Sequence, residues 1–209
     1  MKAVFLGVVL AAAAMGAGAQ AVPHADQLRP YLQVKTVQGD EFTVRAFFSP
    51  SCSYSKEYLG FFNNLRRTVP AATQFEFTPV INKGDGMAYA LSFLAVKRYY
   101  PSYVPNYVEA SLRGTQDLGM SPSNWAAIER FGQAAQLPVS LTKIVADNLT
   151  VLRADLDQAL LVQSSLKITN TPSVSVAGTY IVTPEFTAGN SAQFSSLVNA
   201  LISMVSDRR

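Results

Sequence analysis

The chain has 209 residues, of which 49% are hydrophobic and 15% are charged, and its formal net charge is +3. This length suffices for one well-buried domain, and the basic residues are scattered rather than gathered into a nucleic-acid-binding patch. A single cysteine, Cys52, excludes an internal disulfide. The sequence also contains no set of His, Cys, Asp and Glu residues at metal-ligand spacing. We therefore expect no nucleic-acid partner, no metal and no cofactor.

The first 21 residues have the pattern of a secretory signal peptide. Lys2 precedes an apolar run over residues 3–15, and an A-x-A cleavage pattern ends at Ala21. A transmembrane anchor is the alternative, but the run is shorter than the roughly 20 residues that cross a bilayer. We expect cleavage after Ala21, a periplasmic location and one domain over residues 22–209, with no membrane span left in it.

The first half of this domain reads as a β-α-β unit. Residues 42–48, FTVRAFF, are β-branched and aromatic and break at Ser49-Pro50, which predicts a buried strand. An apolar stripe with helical spacing then follows Cys52, and residues 75–82 predict a second strand, parallel to the first. Cys52 is thus predicted to lie where a strand passes into a helix.

The second half combines helices with a hairpin. Residues 86 to about 166 contain no convincing strand, and we interpret about 86–150 as a helical insertion. The stretch TPSVSVAGTYIVT alternates about Ala177-Gly178, which indicates a hairpin, and residues 191–205 carry the stripe of a closing helix. The helical patterns before the hairpin cover residues 86–100, 104–113, 122–135, 140–148 and 150–166.

Three features together resemble the DsbA family of periplasmic thiol-disulfide oxidoreductases. They are FFSPSCSYS at the end of a strand, Thr171-Pro172 before the hairpin, and the helical block between them. The resemblance covers residues 28–206 and implies an α/β protein with a thioredoxin fold and an inserted helical domain. Where the family has C-x-x-C, this chain has Cys52 and Ser55, so it resembles a monothiol C-x-x-S variant.

Cys52 and Ser55 are the candidate catalytic residues. A cysteine in the first turn of a helix faces backbone N–H groups and the positive end of the helix dipole, both of which favour the thiolate. Ser55, one turn later, can hydrogen-bond that thiolate but cannot attack a mixed disulfide. The pair can therefore form a mixed disulfide but cannot resolve it. The alternative is that Cys52 is a small apolar residue with only a structural role.

The candidate substrate-binding residues are Thr171, Pro172, Ser53 and Tyr54. The resemblance implies a cis bond before Pro172 that places backbone groups of Thr171 beside Cys52, ready for strand addition by an extended peptide. A plain turn is the alternative at this proline. Ser53 and Tyr54 are the two residues between Cys52 and Ser55. Strongly oxidising family members have a histidine in this part of the motif, and this chain has none there.

Two functions follow as alternatives. In the first, the protein is a monothiol oxidoreductase or isomerase that forms mixed disulfides with secreted or periplasmic client proteins. Its turnover then depends on a small thiol such as glutathione or on a membrane redox partner; the glutathione-transferase branch, which keeps an active-site serine, is a special case. In the second, it is a redox-silent peptide-binding chaperone or assembly factor that retains the thioredoxin fold.

Overall fold

The computed structural model describes residues 29–82 and 86–207, so the predicted signal peptide lies outside the described residues. The described residues form five strands, eight α-helices and two short 3-10 helices. The strands are β1 Leu32–Gln33, β2 Thr43–Phe48, β3 Gln74–Pro79, β4 Ser173–Val176 and β5 Tyr180–Val182. The helices are α1 Ser53–Glu57, α2 Leu59–Thr68, α3 Gly86–Tyr99, α4 Val104–Leu118, α5 Trp125–Ala134, α6 Leu141–Asp147, α7 Leu149–Ser165 and α8 Ser191–Ser206.

The five strands form one mixed sheet in the order β1-β5-β4-β2-β3. Strands β2 and β3 are parallel, as the β-α-β pattern predicts, while β4 pairs antiparallel with both β2 and β5. Because β2 and β4 run in opposite directions, the end of β2 and the start of β4 lie at the same edge of the sheet. The register sets Phe47 opposite Ser173 at that edge.

Neighbouring residues of β2 serve the two faces of the sheet, because side chains alternate along a strand. Phe48 belongs to the larger core and packs edge-to-face on Phe77 and on Phe93 of α3, with ring centroids 6.1 and 5.8 Å apart. Phe47 belongs to a smaller core on the other face, together with Val162 of α7. Both phenylalanines are fully buried, so the strand that leads to Cys52 is fixed from both sides.

Helices α3 to α6 lie between β3 and α7, in the range predicted for the insertion. They contribute residues to the same larger core as the sheet, so the insertion is not packed as a separate body. Tyr89 and Tyr107 stack within it with ring planes 12° apart, and both are fully buried. Their hydroxyl groups bond Ser111 and Ser92, each at 2.8 Å. No helix in residues 29–82 and 86–207 has the length and hydropathy needed to cross a bilayer.

Arg45 of β2 is the centre of a cluster of charged side chains that does not include Cys52. Arg45, only 14% exposed, donates to both carboxylate oxygens of Asp40 and also pairs with Glu76, which accepts from Lys97 at 2.8 Å. Burial alone would lower the pKa of Arg45, but the hydrogen bonds and charges of these carboxylates outweigh it and raise the pKa. A cavity of about 560 Å³ adjoins the cluster, and Cys52 does not line it.

The structure differs from the predicted elements at several places, one of which is β3, which ends at Pro79 and not at residue 82. The helix after Cys52 divides into α1 and α2 at Tyr58, where ψ is −1°. The Tyr58 ring packs edge-to-face on Phe194, with ring centroids 5.0 Å apart. Helix α4 runs on to Leu118 and ends at Gly119, whose φ of 64° suits glycine. Strand β1 was not predicted, since two residues are too few to show an alternating pattern.

We expect Gly114→Ala to destabilise the protein. A Cβ at Gly114 would lie 2.4 Å from Cε1 of the buried Phe131 ring. Overpacking of this kind costs about 1–3 kcal/mol, which exceeds the gain of about 0.5–1 kcal/mol from replacing a helical glycine. Urea unfolding should therefore show a net loss of about 1–2 kcal/mol in the free energy of unfolding.

Gly60→Ala is the matched control. Gly60 is exposed on α2, and apart from its two chain neighbours and the backbone of its own helix, no described atom lies within 4 Å of the position of its added Cβ. This variant should gain about 0.5–1 kcal/mol. Equal effects of the two substitutions would contradict the close packing of α4 on α5.

Candidate functional site

The pairing of β2 with β4 brings Cys52 to the segment before β4. Cys52 follows the end of β2 by four residues, and Pro172 directly precedes Ser173, the first residue of β4. The Sγ of Cys52 lies 3.1 Å from the carbonyl oxygen of Thr171. The structure thus brings together Cys52, Thr171 and Pro172, which are separated by more than half the chain.

The Thr171–Pro172 peptide bond is cis. Pro172 is buried, whereas Thr171 and Cys52 are half-buried, so part of Cys52 is open to solvent. A carbonyl oxygen can only accept a hydrogen bond, so the contact is made by the thiol with its proton in place. Cys52 must lose this proton before the sulfur can act as a nucleophile.

The Thr171–Pro172 segment is tied down by its neighbours on both sides. The hydroxyl group of Ser173 donates to the carbonyl oxygen of Asn170 at 2.6 Å. The side-chain amide of Asn170 donates to Glu185 at 2.8 Å. The Thr171 carbonyl group, which faces Cys52, therefore belongs to a turn that is held by hydrogen bonds of the residues on either side.

Cys52 is the N-cap residue of α1 and lies directly before the first helical turn. Its φ and ψ are −91° and 115°, and its side chain makes no capping hydrogen bond within the described part of the chain. The reason is the partner across the sheet edge, since the Sγ is directed to Thr171 instead of to the N–H groups of α1. The predicted junction of strand and helix is present, but the sulfur faces a carbonyl group.

Ser55 belongs to α1 and is fully buried. Its hydroxyl oxygen accepts from the backbone N–H of Ser49 at 3.1 Å, and its own N–H donates to the carbonyl oxygen of Cys52 at 3.0 Å. Ser55 is therefore adjacent to Cys52 as predicted, although the partner of its hydroxyl group is Ser49 and not the sulfur. It occupies the place of the second sulfur in a C-x-x-C site.

Ser53 and Tyr54 are both exposed at the start of α1, and the Tyr54 side chain is 59% exposed. Lys56, on the same helix, forms an ion pair with Asp117 at the end of α4. Ser53 and Tyr54 are thus available on the surface beside the thiol. Their role in binding substrate remains a prediction.

Gln116 is a site residue that the sequence analysis missed. It lies near the end of α4, and its side-chain amide nitrogen donates to the carbonyl oxygens of Pro50 and Cys52 at 3.0 and 2.9 Å. The insertion therefore contacts the turn that carries the thiol. No local pattern identifies such a residue, because a polar side chain near a helix end is ordinarily exposed to solvent.

No protein-family model matches the chain, and no curated protein matches it in sequence. Solved structures are similar. Pseudomonas aeruginosa DsbA has a TM-score of 0.73 at 17% identity, covering 88% of this chain and 97% of the other. Xylella fastidiosa DsbA has a TM-score of 0.69 at 16% identity, covering 83% and 94%.

A cysteine-to-serine variant of Proteus mirabilis DsbA, with the non-covalently bound peptide PWATCDS, has a TM-score of 0.68 at 15% identity, covering 85% of this chain and 96% of the other. The chain has the DsbA-like thioredoxin fold. The predicted α/β fold with a helical insertion is thereby confirmed. At this level of identity the likeness establishes the fold, and the chemistry has to be argued from the residues of the site.

The different burial of positions 52 and 55 gives a direct test of the site geometry. We expect the native thiol of Cys52 to react readily with iodoacetamide. In the double variant Cys52→Ala, Ser55→Cys, the single thiol at the buried position should react at least about tenfold more slowly, because it needs a local opening. Alkylation followed by mass spectrometry measures both rates. Equal rates in the folded proteins would contradict the placement of the two side chains.

Proposed function

We propose that this chain is an exported monothiol protein that exchanges disulfides with secreted client proteins through Cys52. The observation that carries the proposal is the contact of the Cys52 sulfur with the Thr171 carbonyl oxygen, at 3.1 Å and beside the cis Thr171–Pro172 bond. The accessible thiol and a backbone acceptor of the turn before β4 are presented together. The DsbA-like fold supports thiol-disulfide exchange as the class of reaction.

The reaction begins with loss of the thiol proton to solvent. The Cys52 thiolate attacks one sulfur of a client disulfide, the client S–S bond breaks, and the second client sulfur leaves as a thiolate that takes up a proton. The product is a mixed disulfide between Cys52 and the client. No net oxidation has occurred, because one disulfide has replaced another.

Release of the client requires another thiol. Ser55 cannot attack the mixed disulfide, since its hydroxyl group is not a thiol. A second client thiolate attacks the client sulfur of the mixed disulfide, so a new client S–S bond forms, Cys52 leaves as a thiolate and an isomerised client is released. A small thiol such as glutathione, or the thiol of a membrane redox partner, attacks the Cys52 sulfur instead, so the client leaves as a thiolate and is released reduced. Cys52 is then bonded to that thiol, and a second thiol of the same kind attacks the partner sulfur and frees Cys52.

Client recognition rests on the Thr171 carbonyl group. In the resting protein it accepts from the Cys52 thiol. An extended client segment that pairs with this turn by strand addition supplies a backbone N–H to the same oxygen. The client N–H thereby replaces the Cys52 thiol as the donor to this oxygen, and the thiol proton passes to solvent before the sulfur attacks. Exposed Ser53 and Tyr54 border the same position and contact the client on the helix side.

We place the activity in the periplasm, in contact with soluble clients and not with nucleic acid. The support is the signal-peptide pattern of residues 1–21 together with the chemistry of the clients, because disulfide-bonded proteins occur mainly in oxidising compartments.

A second function, a redox-silent peptide-binding chaperone or assembly factor, is favoured by one observation. Ser55 is fully buried and bonded to the Ser49 amide, so the site is complete without a second sulfur. In the Proteus mirabilis DsbA variant, a peptide is bound without a covalent bond. Under this alternative, clients bind to Thr171 and Cys52 remains a thiol throughout.

Ser55→Cys tests whether the missing sulfur is what separates this site from a dithiol oxidoreductase. We expect the variant to form an internal disulfide between positions 52 and 55, because the two lie about one helical turn apart. The oxidised variant should transfer this disulfide to a reduced two-cysteine peptide. Its mixed disulfides should clear far faster than those of the wild type, since intramolecular attack has a high effective concentration.

Non-reducing mass spectrometry of the peptide and the protein measures both steps. Cys52→Ala is the blank, and the wild type is the comparison that forms mixed disulfides without resolving them. If folded Ser55→Cys forms no internal disulfide and transfers none, the redox-silent alternative is preferred.

A further inference from the structure

We propose that Gln116 of the helical insertion is a positioning residue for the Cys52 thiol, and this inference rests on the proposed function. Its side-chain amide donates two hydrogen bonds to the turn that carries the thiol, one to the carbonyl oxygen of Pro50 and one to that of Cys52. The distances of 3.0 and 2.9 Å are those of normal N–H···O bonds.

Two hydrogen bonds hold the turn from within, and the bond to the Pro50 carbonyl group comes from outside the turn. The N–H of Cys52 donates to the Ser49 carbonyl oxygen at 3.1 Å, and the N–H of Ser55 donates to the Cys52 carbonyl oxygen at 3.0 Å. Neither bond involves the Pro50 carbonyl group, although Pro50 is buried. Carbonyl groups of buried residues are usually hydrogen-bonded, and Gln116 donates to this one.

Helix α4 is closely packed and capped where it presents Gln116. Gly114, two residues earlier, packs directly on the buried ring of Phe131. The carbonyl oxygen of Gly114 accepts from the N–H groups of Gly119 and Met120, which closes the end of the helix. The amide of Gln116 is therefore held by the packing of α4 on α5 and by the closed helix end.

The neighbouring ion pair does not account for this positioning. Lys56 and Asp117 also join α1 to α4, but their side chains are 37% and 46% exposed. Exposed pairs of this kind contribute little to position or stability. The half-buried amide of Gln116, which bonds the backbone of Cys52 itself, is the contact that fixes the thiol.

Positioning matters more for a client than for a small reagent. A small disulfide needs only an accessible sulfur. An extended peptide has to pair with Thr171 and present its own sulfur to Cys52 at the same time, so the distance between these two residues must be correct. Loss of the Gln116 bonds lets the turn shift, and a small displacement of a reacting group is costly in rate.

The test compares two second-order rate constants for each protein. The small probe is 5,5′-dithiobis(2-nitrobenzoate), and the second probe is a short extended peptide whose single cysteine carries a thionitrobenzoate group. In both reactions the Cys52 thiolate forms a disulfide with the probe and a thionitrobenzoate anion leaves, so absorbance follows either reaction. The ratio of the peptide rate to the small-probe rate measures positioning.

Gln116→Met removes both donors at similar length and should lower this ratio about tenfold, with little change in the small-probe rate. Gln116→Lys keeps donors within reach of the two carbonyl groups and should retain most of the ratio. The matched control is Gln163→Met, because Gln163 on α7 binds the N–H and carbonyl groups of Ile81 at 2.8 and 3.3 Å. This half-buried glutamine holds another loop, and its loss should leave the ratio unchanged.

The outcomes separate the two proposals. If wild-type protein reacts with the peptide no faster than with the small probe, the proposed function fails whatever Gln116 does. If the wild type prefers the peptide and folded Gln116→Met keeps that preference, or if Gln163→Met loses it equally, the positioning role is wrong. Should Gln116→Met fail to fold, Gln116→Lys and Gln116→Glu are compared, and equal ratios for these two variants overturn the inference.

Discussion

The antiparallel register of β2 and β4 is the constraint on which the site depends. With Phe47 opposite Ser173, the turn after β2 and the turn before β4 meet at one edge of the sheet, and the Cys52 sulfur comes within 3.1 Å of the Thr171 carbonyl oxygen. A slip by one residue would exchange the faces of β4 and expose part of the core. Burial of Phe47 and Phe48 on opposite faces therefore fixes the register and, with it, the position of the thiol.

The site is assembled from three distant parts of the chain. Cys52 comes from the β-α-β unit, Thr171 from the start of the hairpin and Gln116 from the insertion. Cys52 contributes the sulfur, and Thr171 contributes the carbonyl oxygen that accepts from it. The side-chain amide of Gln116 donates to the carbonyl groups of Pro50 and Cys52. The insertion thus takes part in the geometry of the thiol, and its packing around Gly114 has a consequence outside its own core.

The sequence predicts the elements well because their signals are local. The strand before Cys52, the five helical patterns after residue 86 and the hairpin about Gly178 all depend on periodicity or turn chemistry, and the structure has them. The details of the site depend on contacts between distant segments. The partner of the Cys52 sulfur, Thr171, is 119 residues further along the chain, and the contacts of Gln116 depend on where α4 ends in space. Neither of these contacts can be predicted from a short stretch of sequence.

The central claim is that Cys52 forms mixed disulfides with client proteins in the compartment where the protein resides. The most direct measurement is rapid acid quenching and alkylation of intact cells that produce the wild-type chain, followed by mass spectrometry of peptides joined to Cys52. The account predicts Cys52 joined to cysteines of several exported proteins, with these species absent from Cys52→Ala cells. Recovery of Cys52 only as the free thiol, or joined only to small thiols, would contradict it.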